Sequence, residues 1–501
     1  MRTLVDLVPR IAARPHDAAL VSSDTATMTV GEFLARVERL AAVLQDSGVR
    51  SGIRVGVHHG NGPDAVVAWF ATWTAGGTVV PLNPRVATDE LARITKTAEI
   101  DHVLTAPTGA DHVPAGLPMT LHTGDEIRPS TTGAGTQRAD STPGADGEVA
   151  LVQFTSGTTG APKPVPLRHD TIVAMLNSVL GELAGTDRPR SEPMPNLIPV
   201  SLSLWAGIYN VLFAFTAGAP VVVMTAFEPT RFADLVQRFA IRSVVLPPAA
   251  MVMLSDTEQL MSLAPLRYVR SITAPLPPTE AVRFHERFGV AILNCYGQTE
   301  LGGEVIGWTA TDWKQHGVEK LGAVGKPHRG VEVRLVDDGR VHEGPDAVGE
   351  LEVRTPSTKK DVSLLAEDRH GGEGFVRTGD LARIDDDGFV WIVGRRSSMI
   401  NRGGLKIAPG DVEEVIRSVP GVVDAAVVGA PDRRLGEVPW AFVVWREGEA
   451  PDIAAIETRC REKLAGYKVP AGWTVIDALP RNEIGKIVPR DLLARLPEVK
   501  T

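Results

Sequence analysis

Over the first third of the chain, apolar segments alternate between helical and strand-like spacing, which restricts the fold to layered α/β architectures. The stretch Gly31 to Leu44 places Leu34, Val37, Leu40, Ala41 and Leu44 on one helical face. Arg54-Val-Gly-Val-His58 predicts a short strand, Pro63 to Trp73 a helix, and Thr78-Val-Val-Pro-Leu82 a buried strand. Further strands are expected at Ala219 to Met224, Ser243 to Leu246 and Val290 to Leu293, with a helix from Thr230 to Phe239. Residues 124 to 147, rich in Gly, Ser, Thr, Pro and Asp, predict a loop or tether without a core face.

At 501 residues the chain exceeds what one hydrophobic core sustains, so more than one domain is expected. A boundary falls near Val393-Gly-Arg-Arg-Ser-Ser398, because a compact α+β pattern begins beyond it. There Asp411 is placed to cap a helix through Val412, Val415 and Ile416, with Glu414 at the capping-box position. Strands at Ala425 to Val428 and Trp440 to Val444 follow, then a helix with Ile453, Ile456, Cys460 and Leu464 on one face.

Composition narrows the function classes. A net charge of −9 disfavours nucleic acid and anionic membranes as main partners, since both attract basic surfaces. Two cysteines, Cys295 and Cys460, supply neither a disulfide framework nor a cysteine metal site, which suits a reducing cytoplasm. Met1 to Arg10 lacks the apolar core of a signal peptide, and no run of about 18 apolar residues exists to span a bilayer. The expected location is therefore cytoplasmic.

The densest chemistry lies in Thr155-Ser-Gly-Thr-Thr-Gly-Ala-Pro-Lys163, directly after the apolar run Leu151 to Phe154. Its two glycines permit close backbone approach, its hydroxyls and N–H groups can face anionic oxygens, and Lys163 adds a point charge, so it reads as a phosphate cradle. Taken alone it reads equally as a polar turn between a strand and a helix. A Walker loop is disfavoured, because Gly157 and Gly160 are two residues apart instead of four and Lys163 precedes Pro164. Farther on, Asn294-Cys-Tyr-Gly-Gln-Thr-Glu300 presents Thr299, a neutral phosphate donor, beside Glu300, a hard oxygen ligand suited to Mg²⁺; a Thr-Glu pair is also a common helix start. In Val376-Arg-Thr-Gly-Asp-Leu381, Asp380 can accept from two ribose hydroxyls or cap its own backbone. Gly394-Arg395, Gly403-Gly404-Leu-Lys-Ile-Ala-Pro409 and Pro480-Arg-Asn-Glu-Ile-Gly-Lys486 complete the series.

Taken in this order, these segments resemble the adenylate-forming superfamily of acyl- and aryl-CoA synthetases, firefly luciferase and the adenylation domains of peptide synthetases. The resemblance implies a large α/β N-terminal domain of several subdomains (residues 1–394), a hinge (395–398) and a small mobile α+β C-terminal domain (399–501), with ATP, Mg²⁺ and coenzyme A as reactants. In such enzymes a carboxylate attacks the α-phosphorus of ATP, pyrophosphate leaves, and a thiol then displaces AMP from the acyl-AMP. By the same resemblance Thr155, Ser156, Gly157, Thr158, Thr159, Gly160 and Lys163 wrap the β- and γ-phosphates, Thr299 touches the α-phosphate, and Glu300 holds Mg²⁺. Asp380 and Arg395 hold the ribose, while Ala274, Tyr296 and Gly297 attend the adenine side. Lys486 reaches in from the small domain to bridge carboxylate and phosphate oxygens at the transition state, and Gly403 and Gly404 leave room for a pantetheine arm after rotation about Ser397.

Departures from the family pattern shape the substrate expectation. Ser397 stands where the family usually carries Asp or Lys, and Pro164 where it carries Gly. The acyl-channel segment Ile198 to Gly207 lacks the usual His; Leu202 and Trp205 form a bulky apolar wall or pack into the core, and Ile272 replaces a small Gly at the pocket floor. Amino-acid-activating relatives use an Asp in this segment, and Ser201 to Trp205 offers no acid. The expected substrate is a hydrophobic carboxylic acid without an α-amine, with bulky or cyclic acids of bacterial secondary metabolism included. Two alternatives stand beside CoA transfer: loading of an acyl carrier protein's phosphopantetheine, and a nucleotide-binding regulatory protein without catalysis. Many relatives form homodimers, but no feature of this chain decides its oligomeric state.

Overall fold

In the computed structural model the described residues are 1–24, 26–130, 149–156, 162–184, 193–272, 274–301, 303–337, 339–342, 344–345, 347–356, 358–359, 367–403, 405–432, 434–481 and 487–497. The α/β alternation produces a seven-stranded sheet ordered Glu126–Ser130, Met119–Thr123, His102–Thr105, Arg54–His58, Thr78–Pro81, Val149–Ser156, Pro162–Arg168. The helix Val30–Asp46 opens on a capping box between Thr29 and Glu32 and turns Phe33, Val37, Leu40 and Leu44 inward. Its neighbour Pro63–Thr74 is buried along Ala65 to Trp73, so it is a core helix with no solvent stripe. Phe33 and Phe70 meet edge to face at 5.4 Å where the two helices pack.

Three local expectations change. Within residues 124 to 147, Glu126–Ser130 is an edge strand paired with Met119–Thr123 across the turn Gly124-Asp125, where Gly124 takes φ +56°. Its periodicity is weak because Ile127 alone packs on the core. The cradle strand Val149–Ser156 pairs antiparallel with Pro162–Arg168, Thr155 opposite Lys163, so the next described element is a strand and not the helix of a strand–helix turn. Prolines 162, 164 and 166 occupy every second position of that edge strand, so their missing N–H groups fall on one side, which an open edge tolerates. Asp411 does not cap its helix; Pro409–Arg417 starts on a proline after Ala408, and Asp411 accepts a 2.6 Å bond from Lys468.

A second sheet runs Ser243–Leu246, Tyr268–Ser271, Ala291–Gln298, Gly303–Gly307, Lys326–Pro327, its first three strands parallel and the rest antiparallel. An antiparallel sheet follows, in which Phe375–Ile384 pairs with both Gly349–Arg354 and Val390–Arg395. After the 3₁₀ turn Arg396–Ser398 the chain enters another sheet at Ile400–Arg402, with a core of its own built from Ile407, Val412, Ile416, Ala441, Ile456 and Cys460.

The seven-stranded sheet carries an acid-sensitive set of histidines. Burial pushes His58 and His102 down to about 4, and burial with the neighbouring His122 pushes His59 down to about 3. The Nε2 of His59 and both ring nitrogens of His122 are buried without a hydrogen-bond partner, and the two rings meet at 5.3 Å. These imidazoles stay neutral in the folded state while an unfolded chain protonates them near 6.5, so the stability they preserve is complete above that value and is lost as pH falls toward 4. One pH unit below 6.5, His58, His59 and His102 are each expected to cost about 1.4 kcal/mol. Urea unfolding midpoints should therefore fall between pH 7.5 and pH 5.5; equal midpoints would contradict neutral burial.

Candidate active site

The strand Ala291–Gln298 ends in the hairpin to Gly303–Gly307, and this tight return sets the site. A Cβ on Gly297 would lie 1.9 Å from the carbonyl oxygen of Gly303, so only glycine lets the strands close here. Tyr296 and Gln298 flank that glycine and point toward Phe375–Ile384. The Tyr296 hydroxyl donates to Asp380 Oδ2 at 2.6 Å, and Gln298 Nε2 donates to the same oxygen at 2.8 Å. Arg395 lies directly opposite Asp380 in the paired strand, and its Nε donates to Oδ1 at 3.0 Å.

Asp380 is 4% exposed and does not cap its own backbone; its N–H donates to the Thr378 hydroxyl at 3.1 Å. Three donors from two strands hold it instead. Burial, reinforced by the Asp380 charge, pushes the Tyr296 phenol well above its ordinary value, so it remains a donor at neutral pH. Gly379, at φ +74°, makes the turn that presents the carboxylate, and its N–H donates to Glu350 Oε1 at 3.2 Å. The second arginine of the expected hinge is tied to the same place, with Arg396 Nη1 2.7 Å from Glu350 Oε2.

Glu300 sits in the 3₁₀ turn Thr299–Leu301, immediately after the strand that carries Tyr296. Arg369 Nη2 lies 3.3 Å from its Oε1, while Arg369 Nη1 donates to the carbonyls of Arg377 and Thr378 beside Asp380. Arg369 thus ties Glu300 to the backbone of the strand that carries Asp380. Sequence reading missed both Arg369 and Gln298. Gln298 stood inside the quoted Tyr-Gly-Gln-Thr-Glu segment, but Arg369 lies in no motif and carried no local signal.

The other expected residues are distributed as follows. Thr155, Ser156 and Lys163 occupy facing strands of the hairpin, whereas Gly157, Thr158, Thr159, Gly160, Gly404 and Lys486 lie outside the described residues. Thr299 and Ser397 have described backbones, each in a 3₁₀ turn. Ala274 follows the strand Tyr268–Ser271, and Ile272 donates its N–H to Leu246 O at 3.2 Å. Gly403 takes φ +60° and donates to Leu435 O at 2.7 Å. Leu202 and Trp205 are 1% and 7% exposed and both join the hydrophobic core. Among the described residues no helix is long and apolar enough to cross a membrane, and no group of three or more His, Cys, Asp or Glu is placed to hold a metal.

Residues 8–360 match the family of AMP-binding enzymes, and residues 411–486 match the AMP-binding enzyme C-terminal domain. The chain is an AMP-binding enzyme. It is 31% identical over 497 residues to a feruloyl-CoA synthase of Amycolatopsis sp, covering 97% of this chain and 98% of that one. It is also 31% identical, over 97% of both chains, to the 3-[(3aS,4S,7aS)-7a-methyl-1,5-dioxo-octahydro-1H-inden-4-yl]propanoyl:CoA ligase of Mycobacterium tuberculosis. The solved O-succinylbenzoate coenzyme A synthetase of Bacillus subtilis, in complex with ATP and magnesium ion, superposes with a TM-score of 0.80 at 25% identity, covering 97% of this chain and 98% of that chain. This AMP-binding enzyme accordingly has the adenylate-forming fold, a large N-terminal AMP-binding domain followed by the small C-terminal one.

Proposed function

We propose that this AMP-forming acid–thiol ligase converts a hydrophobic carboxylic acid without an α-amine, bulky or cyclic, to its acyl-AMP at the Asp380 site and transfers the acyl group to coenzyme A. The observation that carries the reading is the convergence of Tyr296, Gln298 and Arg395 on Asp380, with Glu300 tied by Arg369 to the backbone of the same strand. A buried carboxylate fixed in this way is a preformed acceptor for ribose hydroxyls. Gln298 Nε2 also reaches Thr378 O at 2.9 Å, so it can release Asp380 to an incoming hydroxyl and keep a partner.

The site suits a magnesium ion bound chiefly through phosphates. Mg²⁺ needs one or two protein carboxylates beside the substrate's own oxygens, and Glu300 supplies one, half-enclosed next to Arg369. When bound, the ion screens the triphosphate so that a second anion can approach. The chain's own part is positional: Asp380 and Arg395 hold the sugar, Glu300 anchors the metal, and the hairpin at 155–163 sets the phosphates.

The test is acid-dependent ATP–pyrophosphate exchange over a panel of carboxylic acids, followed by acceptor competition between free CoA and a holo-carrier protein. Exchange with hydrophobic acids and thioester formation on free CoA are expected. Transfer to the carrier alone would replace CoA as acceptor, and absence of acid-dependent exchange would exclude the activity. Ser397→Pro is expected to leave exchange in place and slow CoA thioesterification by about tenfold or more, because rotation about the hinge is restricted. Unchanged thioesterification would move the hinge elsewhere.

A further inference from the structure

Three polar side chains meet in a region expected to be apolar. Arg270, on the strand Tyr268–Ser271, donates through Nε to Glu304 Oε2 at 3.3 Å and through Nη2 to Oε1. His328 Nε2 lies 2.8 Å from the same Oε1. Gly307 makes the space, since a Cβ there would lie 2.3 Å from Glu304 Oε1 and 3.1 Å from the His328 ring. Burial alone would raise the Glu304 carboxyl, but the Arg270 charge and the His328 bond outweigh it and hold the group ionised.

The position of this cluster is informative. Cys295, whose thiol burial and Glu304 push up, immediately precedes Tyr296 of the nucleotide site. On the other side, Gly303 adjoins Glu304, and a Cβ on Gly303 would meet Met175 Sδ at 2.9 Å and Trp205 Nε1 at 3.5 Å. Arg270 also feels Tyr209, whose ring lies 5.8 Å from that of Trp205. The cluster therefore lies between the acyl-channel segment and the nucleotide residues. Arg270 and Glu304 are embedded among protein atoms, yet 27% and 18% of their side chains remain accessible. Groups locked in a solid core show no such area, so part of each faces accessible space.

From this placement we infer that the acid activated here carries a neutral oxygen substituent, a carbonyl or hydroxyl, remote from its carboxylate, and that Arg270 donates to it. The inference rests on the acyl-activating function proposed above and adds the substrate's second recognition group. Glu304 occupies two nitrogens of Arg270, and Nη1 has no hydrogen-bond partner among the described residues. An alkyl terminus would leave those N–H groups desolvated and unpaired. A second carboxylate would face the Glu304 charge, and an ammonium would find Glu304 already engaged by Arg270 and His328. A neutral acceptor oxygen meets neither obstacle.

Matched acids test this in ATP–pyrophosphate exchange: cinnamic against 4-hydroxycinnamic acid, and 3-cyclohexylpropanoic against 3-(4-oxocyclohexyl)propanoic acid, with 4-carboxycinnamic acid as the anionic counterpart. The oxygenated member of at least one pair is expected to exceed its parent in kcat/KM by about tenfold or more, and the anionic acid should gain nothing over cinnamic acid. In Arg270→Met/Glu304→Gln, which removes both charges together, the ratio should fall toward one. Parents equal to or better than their oxygenated partners, or a ratio unchanged in a folded double variant, would overturn the inference alone. Exchange with no acid at all would overturn the acyl-activating function and this inference with it. If circular dichroism shows the double variant unfolded, the wild-type ratios decide.

Discussion

Asp380→Asn is expected to lower kcat/KM for ATP in the exchange reaction by roughly 10²-fold, the size of one or two lost bonds to a charged group at about 1.5–3 kcal/mol each. The native carboxylate accepts from the Tyr296 hydroxyl, the Gln298 amide and Arg395 Nε. An asparagine puts an NH₂ where one oxygen stood. Turned toward Arg395 it sets donor against donor; turned the other way it confronts Gln298, whose amide can flip only by giving up Thr378 O. Either arrangement spoils the ribose acceptor and leaves Arg395 with a weaker partner. The effect should appear mainly in the dependence on ATP concentration, with the dependence on acid much less altered. An unchanged KM for ATP with lowered kcat would place Asp380 in the chemical step and not in ribose binding.

What could be read without coordinates follows the strength of local patterning. The helix over Val30–Asp46 and the strands Arg54–His58 and Ser243–Leu246 announce themselves because their apolar spacing and their burial have the same cause. Glu126–Ser130 escaped because an edge strand needs only one inward side chain, here Ile127, and its partner is chosen by a turn. Asp411 misled because a cap pattern competes with a proline two residues earlier, and the proline sets the helix start. At the site, Asp380, Arg395 and Tyr296 were legible through short motifs, since glycines at 297 and 379 mark backbone that must turn or approach closely. Arg369 and the Arg270–Glu304–His328 cluster were not legible. Their partners are 69, 34 and 24 residues apart in the chain, and only the assembled sheets bring such groups together.

Lys486→Ala is expected to lower adenylation by about 10²–10³, as when one donor to a developing oxyanion is removed. The reaction brings a carboxylate to a triphosphate, and negative charge gathers on the entering and equatorial oxygens as the bond forms. In the proposed reading magnesium at Glu300 and the 155–163 segment serve the departing pyrophosphate, so a separate cation is needed on the forming side. Lys486 is proposed for that role. It lies outside the described residues; on either side of it Arg481 bridges Ile487, Val488 N–H donates to Pro480 O at 2.9 Å, and Arg481 is held by Asp424 of the small domain. A side chain supplied by the second domain can be withdrawn once the acyl-AMP exists, leaving the thiol its approach. The variant should therefore convert supplied acyl-AMP to the CoA thioester at close to the parental rate while failing in exchange. Equal losses in both half-reactions would sink this role, because a lysine needed by both steps could not be the group that domain rotation removes.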